Sequence, residues 1–265
     1  MKIGFIGAGK MAGAIMNGMI SSQILKPNEI AVYDINQEVC SNYQTRGFHV
    51  CQTISELVSN CEFLVLSVKP QNFSDIMAEV KPNAKSENVF VTIMAGISAE
   101  AIKAAVGFDA KVIRIMPNTP LLVGYGSIAL SRVEPASIED FNFIKEVFSS
   151  AGKVEEISPD MMNEVIPLNG SSPAYIYLFA KIFVDRAVKL GFDADVANRL
   201  FCNSLIGCAK MMMETGKSHQ ELIDMVTSKG GTTYKGLEAL SRNHFEQALT
   251  ECFDDTIKRA YELGK

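Results

Sequence analysis

Gly7-Ala8-Gly9-Lys10-Met11-Ala12 sets two glycines and a small residue at the spacing a chain needs to pass close beneath a pyrophosphate. The first glycine permits a tight turn, and the second lets backbone amides approach the phosphates. The small third residue lets the following helix pack on its strand. Asp34 lies about twenty residues further on, at the end of the next apolar run, where an acidic group accepts from a ribose hydroxyl. The chemistry of this set is dinucleotide binding, with Gly7, Ala8, Gly9, Lys10, Met11, Ala12 and Asp34 as cofactor residues. Lys10 reads either as a pyrophosphate contact or as a solvated loop residue. The cysteines (Cys40, Cys51, Cys61, Cys202, Cys208, Cys252) form no C-x-x-C pair, and His49, His219 and His244 fit no triad or metal pattern. Six reduced core thiols and no metal site are expected.

The elements that must position these residues follow from apolar patterning. Ile3–Ile6, Ile30–Tyr33, Phe63–Val68, Val89–Ile93 and Val112–Met116 are predominantly apolar runs alternating with helical patterns. Such runs suit parallel strands covered on both faces, as in a doubly wound α/β domain. Ser98 before Ala-Glu-Ala-Ile and Pro70 before Gln-Asn-Phe mark helix starts. Beyond Ser158-Pro159 the β-branched runs stop and helix formers take over, so the domain boundary is placed there, between 1–158 and 159–265. Gly191 closes one long helix, Asp193 caps the next, and Ser228 to Thr233 is the conspicuous late break.

The helix from Pro173 to Leu190 is apolar almost all the way round, which demands burial on most faces. About a hundred residues of helix cannot supply that cover alone, so a partner subunit is expected there. Hydrophobic residues make up 48% of the 265-residue chain and charged residues 21%, enough for a folded core. The net charge of −5, without a Lys/Arg run, argues against nucleic acid as a partner. The most apolar stretch, from Ala174 to Val184, is interrupted by Lys181 and too short for a membrane span. Met1 leads directly into the first strand instead of a leader peptide, so the expected location is the cytoplasm.

Four stretches together resemble the pyrroline-5-carboxylate reductase family over essentially the full chain. They are Gly7 to Ala12, Val68-Lys69-Pro70, Met116-Pro-Asn-Thr-Pro120, and the pair Gly170 to Tyr175 and Ser228 to Thr233. The resemblance implies a Rossmann-type domain followed by an all-α dimerisation domain. It implies hydride transfer from NADH or NADPH to the imine carbon of 1-pyrroline-5-carboxylate, giving L-proline. It adds Val68, Lys69, Pro70, Ala95 and Gly96 to the cofactor residues and places substrate at Gly231, Thr232 and Thr233. Those glycines offer bare amides beside two hydroxyls, a set able to hold a carboxylate and a ring nitrogen. Thr233 is expected to contact that nitrogen. The same stretch also reads as a helix stop followed by a cap.

Asn118 reads either as part of a rigid loop or as reaching the nicotinamide side. This sequence has Lys10 where the family usually has Asn, Ser172 where it has Gly, Lys229 where it has Pro, and Ile166-Pro-Leu-Asn169 where it favours Thr-Ala-Leu-Ser. Asp34 favours NADH, since it would repel a 2′-phosphate. Two other readings stand beside this one: a 3-hydroxyacid or imine dehydrogenase for another small carboxylate, and a dinucleotide-binding dimer without turnover. The first usually pairs a lysine with an asparagine one turn on, whereas Asp185 follows Lys181 here.

Overall fold

The computed structural model describes residues 1–264. The first part runs β1 (Ile3–Ile6), α1 (Lys10–Ser21), β2 (Ile30–Tyr33), α2 (Gln37–Thr45), β3 (His49–Val50), α3 (Ile54–Asn60) and β4 (Phe63–Leu66). It continues with α4 (Phe73–Val80), β5 (Val89–Thr92), α5 (Ala99–Val106), β6 (Lys111–Met116), β7 (Gly126–Val133), α6 (Ile138–Ser149) and β8 (Gly152–Glu156). Helices follow: α7 (Ser172–Lys189), α8 (Ala194–Glu214), α9 (His219–Met225), α10 (Thr232–Arg242) and α11 (Phe245–Leu263).

The strands form one sheet in the order β3-β2-β1-β4-β5-β6-β7-β8. Alternate strand residues separate onto its two faces, as a two-residue period requires. Ile3, Phe5, Phe63 and Val65 pack with Ile15 and Met16 of α1 and Ile144 and Phe148 of α6. Ile6, Leu64, Leu66 and Phe90 pack with Leu57 of α3, Met77 of α4 and Ile102 of α5. Strand order reverses between β1 and β4, and loops at such a switch point leave a crevice for ligands.

Three strands lay outside the sequence reading. β3 is only two residues long. β7 runs antiparallel to β6, so the sheet is not wholly parallel. β8, Gly-Lys-Val-Glu-Glu, is an edge strand whose charged residues hide its strand character and protect the edge.

The chain divides into two compact units, one of Met1–Pro173 with the chain from Thr256 onward, the other Ala174–Asp255. In the second unit Phe179 packs with Phe183, Phe201 and Phe245 at centroid distances of 4.7, 5.9 and 6.5 Å. Around that cluster the helices expose Ile176, Tyr177, Leu178, Ile182 and Leu200. The cysteines need a correction: only Cys40, Cys51 and Cys61 are core thiols, while Cys202 and Cys208 lie exposed on α8 and Cys252 is half-buried on α11. No helix among the described residues is long and apolar enough to cross a membrane.

Candidate functional site

Gly7 leaves β1 with φ +93°, and a Cβ there would stand 2.9 Å from both the Ser67 carbonyl oxygen and Val68 Cγ1. Only glycine fits both the dihedral and the space. The same contact brings the Gly7 turn against the Val68 segment across the switch point. Ser67 fastens the two, its hydroxyl donating to the Gly7 carbonyl at 2.5 Å and lying 3.0 Å from the alternative acceptor, the Ile6 carbonyl. Val68 and Pro70 are half-buried and Lys69 is exposed. Ala12 is buried and seats α1 on the sheet, while Gly9 and Lys10 stay exposed at its N-terminus and Met11 is half-buried.

Asp34 is half-buried and held from both sides. Its Oδ2 accepts from the Ala8 N–H at 2.8 Å and its Oδ1 from the Asn36 N–H at 2.9 Å. The carboxylate is thereby locked beside the dinucleotide turn with lone pairs to spare. Asn36 also caps α2 by accepting from the Glu38 N–H at 2.9 Å. A cleft of about 730 Å³ runs from this turn along α1, lined by Lys10, Asn17, Asn42, Tyr43 and Arg46 among others. Arg46, twelve positions past Asp34 in sequence, therefore lies nearer the turn than its number suggests. Its guanidinium donates to Asn17 Oδ1 at 2.5 Å and stands 5.2 Å from the Tyr43 and Phe48 rings.

Six helix starts are closed by a side chain, α4 starts uncapped with Asp75 in its first turn, and two others start at a glycine. The N-termini of α2, α3, α5, α6, α8 and α9 are closed by the side chains of Asn36, Thr53, Ser98, Ser137, Asp193 and Ser218, each with an acidic residue in the first turn. α1 and α10 start at Gly9 and Gly231, with no side-chain cap and no acid in the first turn. Their free amides and positive dipole ends suit an anion. α1 is the start expected to hold pyrophosphate, and α10 the one expected to hold a carboxylate. Thr232 and Thr233 open α10 and are exposed in the second unit.

Ala95 and Gly96 follow β5. Gly96 is buried with φ +80°, and a Cβ on it would lie 2.4 Å from the Ala260 carbonyl oxygen, so the end of α11 backs this loop. Asn118 is buried, and its Oδ1 accepts from the Ser127 N–H at 2.9 Å, pinning the Pro-Asn-Thr-Pro turn to the start of β7. Asn169, unremarked in sequence beyond its departure from the family pattern, does related work. Its Nδ2 donates to the Met116 carbonyl at 2.7 Å.

His49, Cys51 and Glu56 bring donor atoms within 4.8 Å of one another, a grouping the sequence spacing concealed. Burial pushes the Cys51 thiol up to about 12, so the protonated thiol prevails at neutral pH and a metal would have to displace a firmly held proton. Lys181 is ion-paired with Asp185.

A family model described as pyrroline-5-carboxylate reductase dimerisation matches residues 159–263, and one described as NADP oxidoreductase, coenzyme F420-dependent, matches residues 2–96. The chain is 34% identical to a pyrroline-5-carboxylate reductase of Methanosarcina acetivorans, covering 100% of this chain and 98% of that one. It is 32% identical to the enzyme of that name from Escherichia coli, with the same two coverages. A crystal structure of Plasmodium falciparum pyrroline carboxylate reductase with NADP bound superposes with a TM-score of 0.91, at 27% identity over 100% of this chain and 98% of that one.

Proposed function

The chain belongs to the pyrroline-5-carboxylate reductase family, and from that premise we propose that it reduces 1-pyrroline-5-carboxylate to L-proline with a reduced nicotinamide dinucleotide. The observation that carries this reading is the pair of open helix starts. α1 and α10 leave their amides uncapped at the two loops where a dinucleotide and a small carboxylate are needed.

In this reading, residues 1–158 hold the cofactor and 159–265 supply dimerisation and substrate binding. Gly7 to Ala12 cradle the pyrophosphate, while Asp34 accepts from the adenine-side ribose. Val68, Lys69, Pro70, Ala95, Gly96 and Asn118 shape the nicotinamide end. When bound, the cofactor supplies the hydride. The amides of Gly231 and Thr232 hold the substrate carboxylate, and the Thr233 hydroxyl steadies the ring nitrogen. An imine accepts hydride at carbon more readily as its nitrogen gains a proton, so orientation and a hydrogen-bond partner matter more than a strong acid. The locked Asp34 favours NADH, and Arg46 is already engaged by Asn17, Tyr43 and Phe48. The cytoplasm suits the reduced thiols of Cys40, Cys51, Cys61, Cys202 and Cys208.

The test is direct: mix purified protein, NADH or NADPH, and pyrroline-5-carboxylate, and follow the nicotinamide absorbance. Loss of absorbance with proline formed in equal amount is expected. No turnover with either cofactor would overturn the reading.

A further inference from the structure

Arg114 sits in the middle of β6 with 9% exposure, and its guanidinium donates only to neutral oxygens, the Pro159 carbonyl at 3.1 Å and Asn163 Oδ1 at 3.0 Å. Among the described residues no carboxylate comes within 4.0 Å of it. Burial holds this guanidinium below its ordinary range, while Glu100, Glu164 and Tyr261 act on it from a distance in the opposite sense. A buried cation without a counter-charge is an uncommon feature in a folded chain, because desolvation is left uncompensated.

The guanidinium lines a cleft of about 360 Å³, at the small end of ligand-site volumes. The same cleft is lined by Ser98, Glu100, Asp160, Asn163 and Tyr261. Glu100 and Asp160 are exposed carboxylates, so the cleft has a cation in its floor and anions at its mouth. Glu164 stands behind Tyr261. Its Oε1 accepts from the Tyr261 hydroxyl at 2.5 Å, and its Oε2 is buried without a hydrogen-bond partner.

We propose that this cleft is an effector site for a neutral α-amino acid in its zwitterionic form, carboxylate on Arg114 and ammonium toward Glu100 and Asp160. The charge order selects that class. A dicarboxylate meets repulsion from both rim acids, and an amine without a carboxylate meets repulsion from Arg114. A monocarboxylate leaves the rim charges unanswered. The site goes beyond the reductase reading, whose substrate residues are Gly231 to Thr233.

The chain contains no tryptophan, so a Tyr261→Trp variant places one emitter at the mouth of this cleft. An indole N–H can still donate to Glu164, as the phenol does. L-proline, N-acetyl-L-proline and L-prolinamide are titrated against this variant of the full chain, with and without Glu100→Gln. The expected result is a saturable emission change with L-proline. The N-acetyl and amide forms, each lacking one charge, should bind at least ~10-fold more weakly, a loss of about 1.4 kcal/mol. Glu100→Gln, a change on an exposed side chain, should weaken L-proline by ~3-fold or more after salt screening. An emission change that Glu100→Gln leaves untouched, equal response to all three compounds, or no response to L-proline would each overturn the proposal. Emission is read without turnover, so its failure leaves the reductase reading standing, and an inactive enzyme would leave this test intact.

Discussion

Removing a single hydroxyl separates the two roles open to Thr233. Thr233→Val keeps the branched shape at the second residue of α10 and deletes only the oxygen. If that oxygen steadies the substrate nitrogen as hydride arrives, kcat/KM for the imine should fall about 10- to 1000-fold, as for other aligned transition-state hydrogen bonds. Cofactor affinity should stay unchanged. Thr232→Val should cost less, since its backbone amide survives. Because Gly231 and not a threonine hydroxyl starts α10, a purely structural role predicts unchanged rates per folded molecule in both variants. A Thr233→Val enzyme within twofold of wild type would remove the assignment.

Asp34 carries the cofactor prediction at the same scale. A 2′-phosphate about 4 Å from its carboxylate would cost on the order of 4 kcal/mol at an effective dielectric of 20, less after salt screening. Even a third of that is about tenfold, so kcat/KM should favour NADH by at least ~10-fold. Asp34→Asn keeps an acceptor for the Ala8 N–H and should narrow the ratio. An NADPH preference in the wild type would contradict the placement. Asp140 gives a pH-dependent test of the fold. Burial alone would raise its pKa, but the Ser137 N–H and hydroxyl and Lys111 at 3.2 Å outweigh it and hold the carboxyl below its ordinary value. Such a group stabilises the native state above the unfolded pKa, and the gain is lost as pH falls through the native one. Asp140→Asn should therefore cost about 1 kcal/mol in urea titrations at neutral pH, with the gap closing below pH ~4.

Two glycines with nearly the same dihedral test how elements lean on one another. Gly96 (φ +80°) faces the Ala260 carbonyl oxygen at 2.4 Å from a would-be Cβ, whereas Gly47 (φ +85°) has its nearest neighbour, Pro27, at 3.8 Å. Alanine at Gly47 should cost only the left-handed strain of about 1 kcal/mol. At Gly96 it must also push α11 away, so a loss of at least ~2 kcal/mol more is expected by thermal melting. Equal losses would mean that α11 does not back this loop. That contact was invisible in sequence, because Gly96 and Ala260 are far apart in the chain and nothing in the pattern around Ala260 points to Gly96. By contrast, β1, β2, β4, β5 and β6 were legible: buried on both faces, they carry largely apolar runs, broken only by Thr92 in β5 and by Lys111 and Arg114 in β6. β8 was not, because an edge strand shows water its Lys and Glu residues. The dinucleotide turn was legible because its glycines answer a local need. The ties made by Ser67, Asn118 and Asn169 were not, since a buried hydrogen bond leaves no periodic trace.

At the scale of the whole molecule, α7 and α8 pose a solubility problem that one chain leaves open. Ile176, Tyr177, Leu178 and Ile182 on α7 stand 47 to 60% exposed, with Leu200, Ile206, Met212 and Met213 exposed on α8. So many exposed large apolar side chains on two helices suit an interface, in keeping with the dimerisation model matched over 159–263. Phe179 is different. It is committed to Phe183, Phe201 and Phe245 inside its own unit, so the two residues make separate tests. Ile176→Asp places a charge on the exposed face, where pairing would bury it without a partner. A penalty of about 3 kcal/mol would raise the dissociation constant more than a hundredfold. Light scattering at micromolar concentration should find wild-type protein at a multiple of the 29.0 kDa chain, and Ile176→Asp as monomer or aggregate with its helical circular dichroism kept. Phe179→Asp should instead lose helical signal, because it breaks the aromatic cluster that holds α7 to α8 and α11. A monomeric wild type would overturn the interface assignment, and an Ile176→Asp protein that still associates as wild type would move the interface off this face of α7.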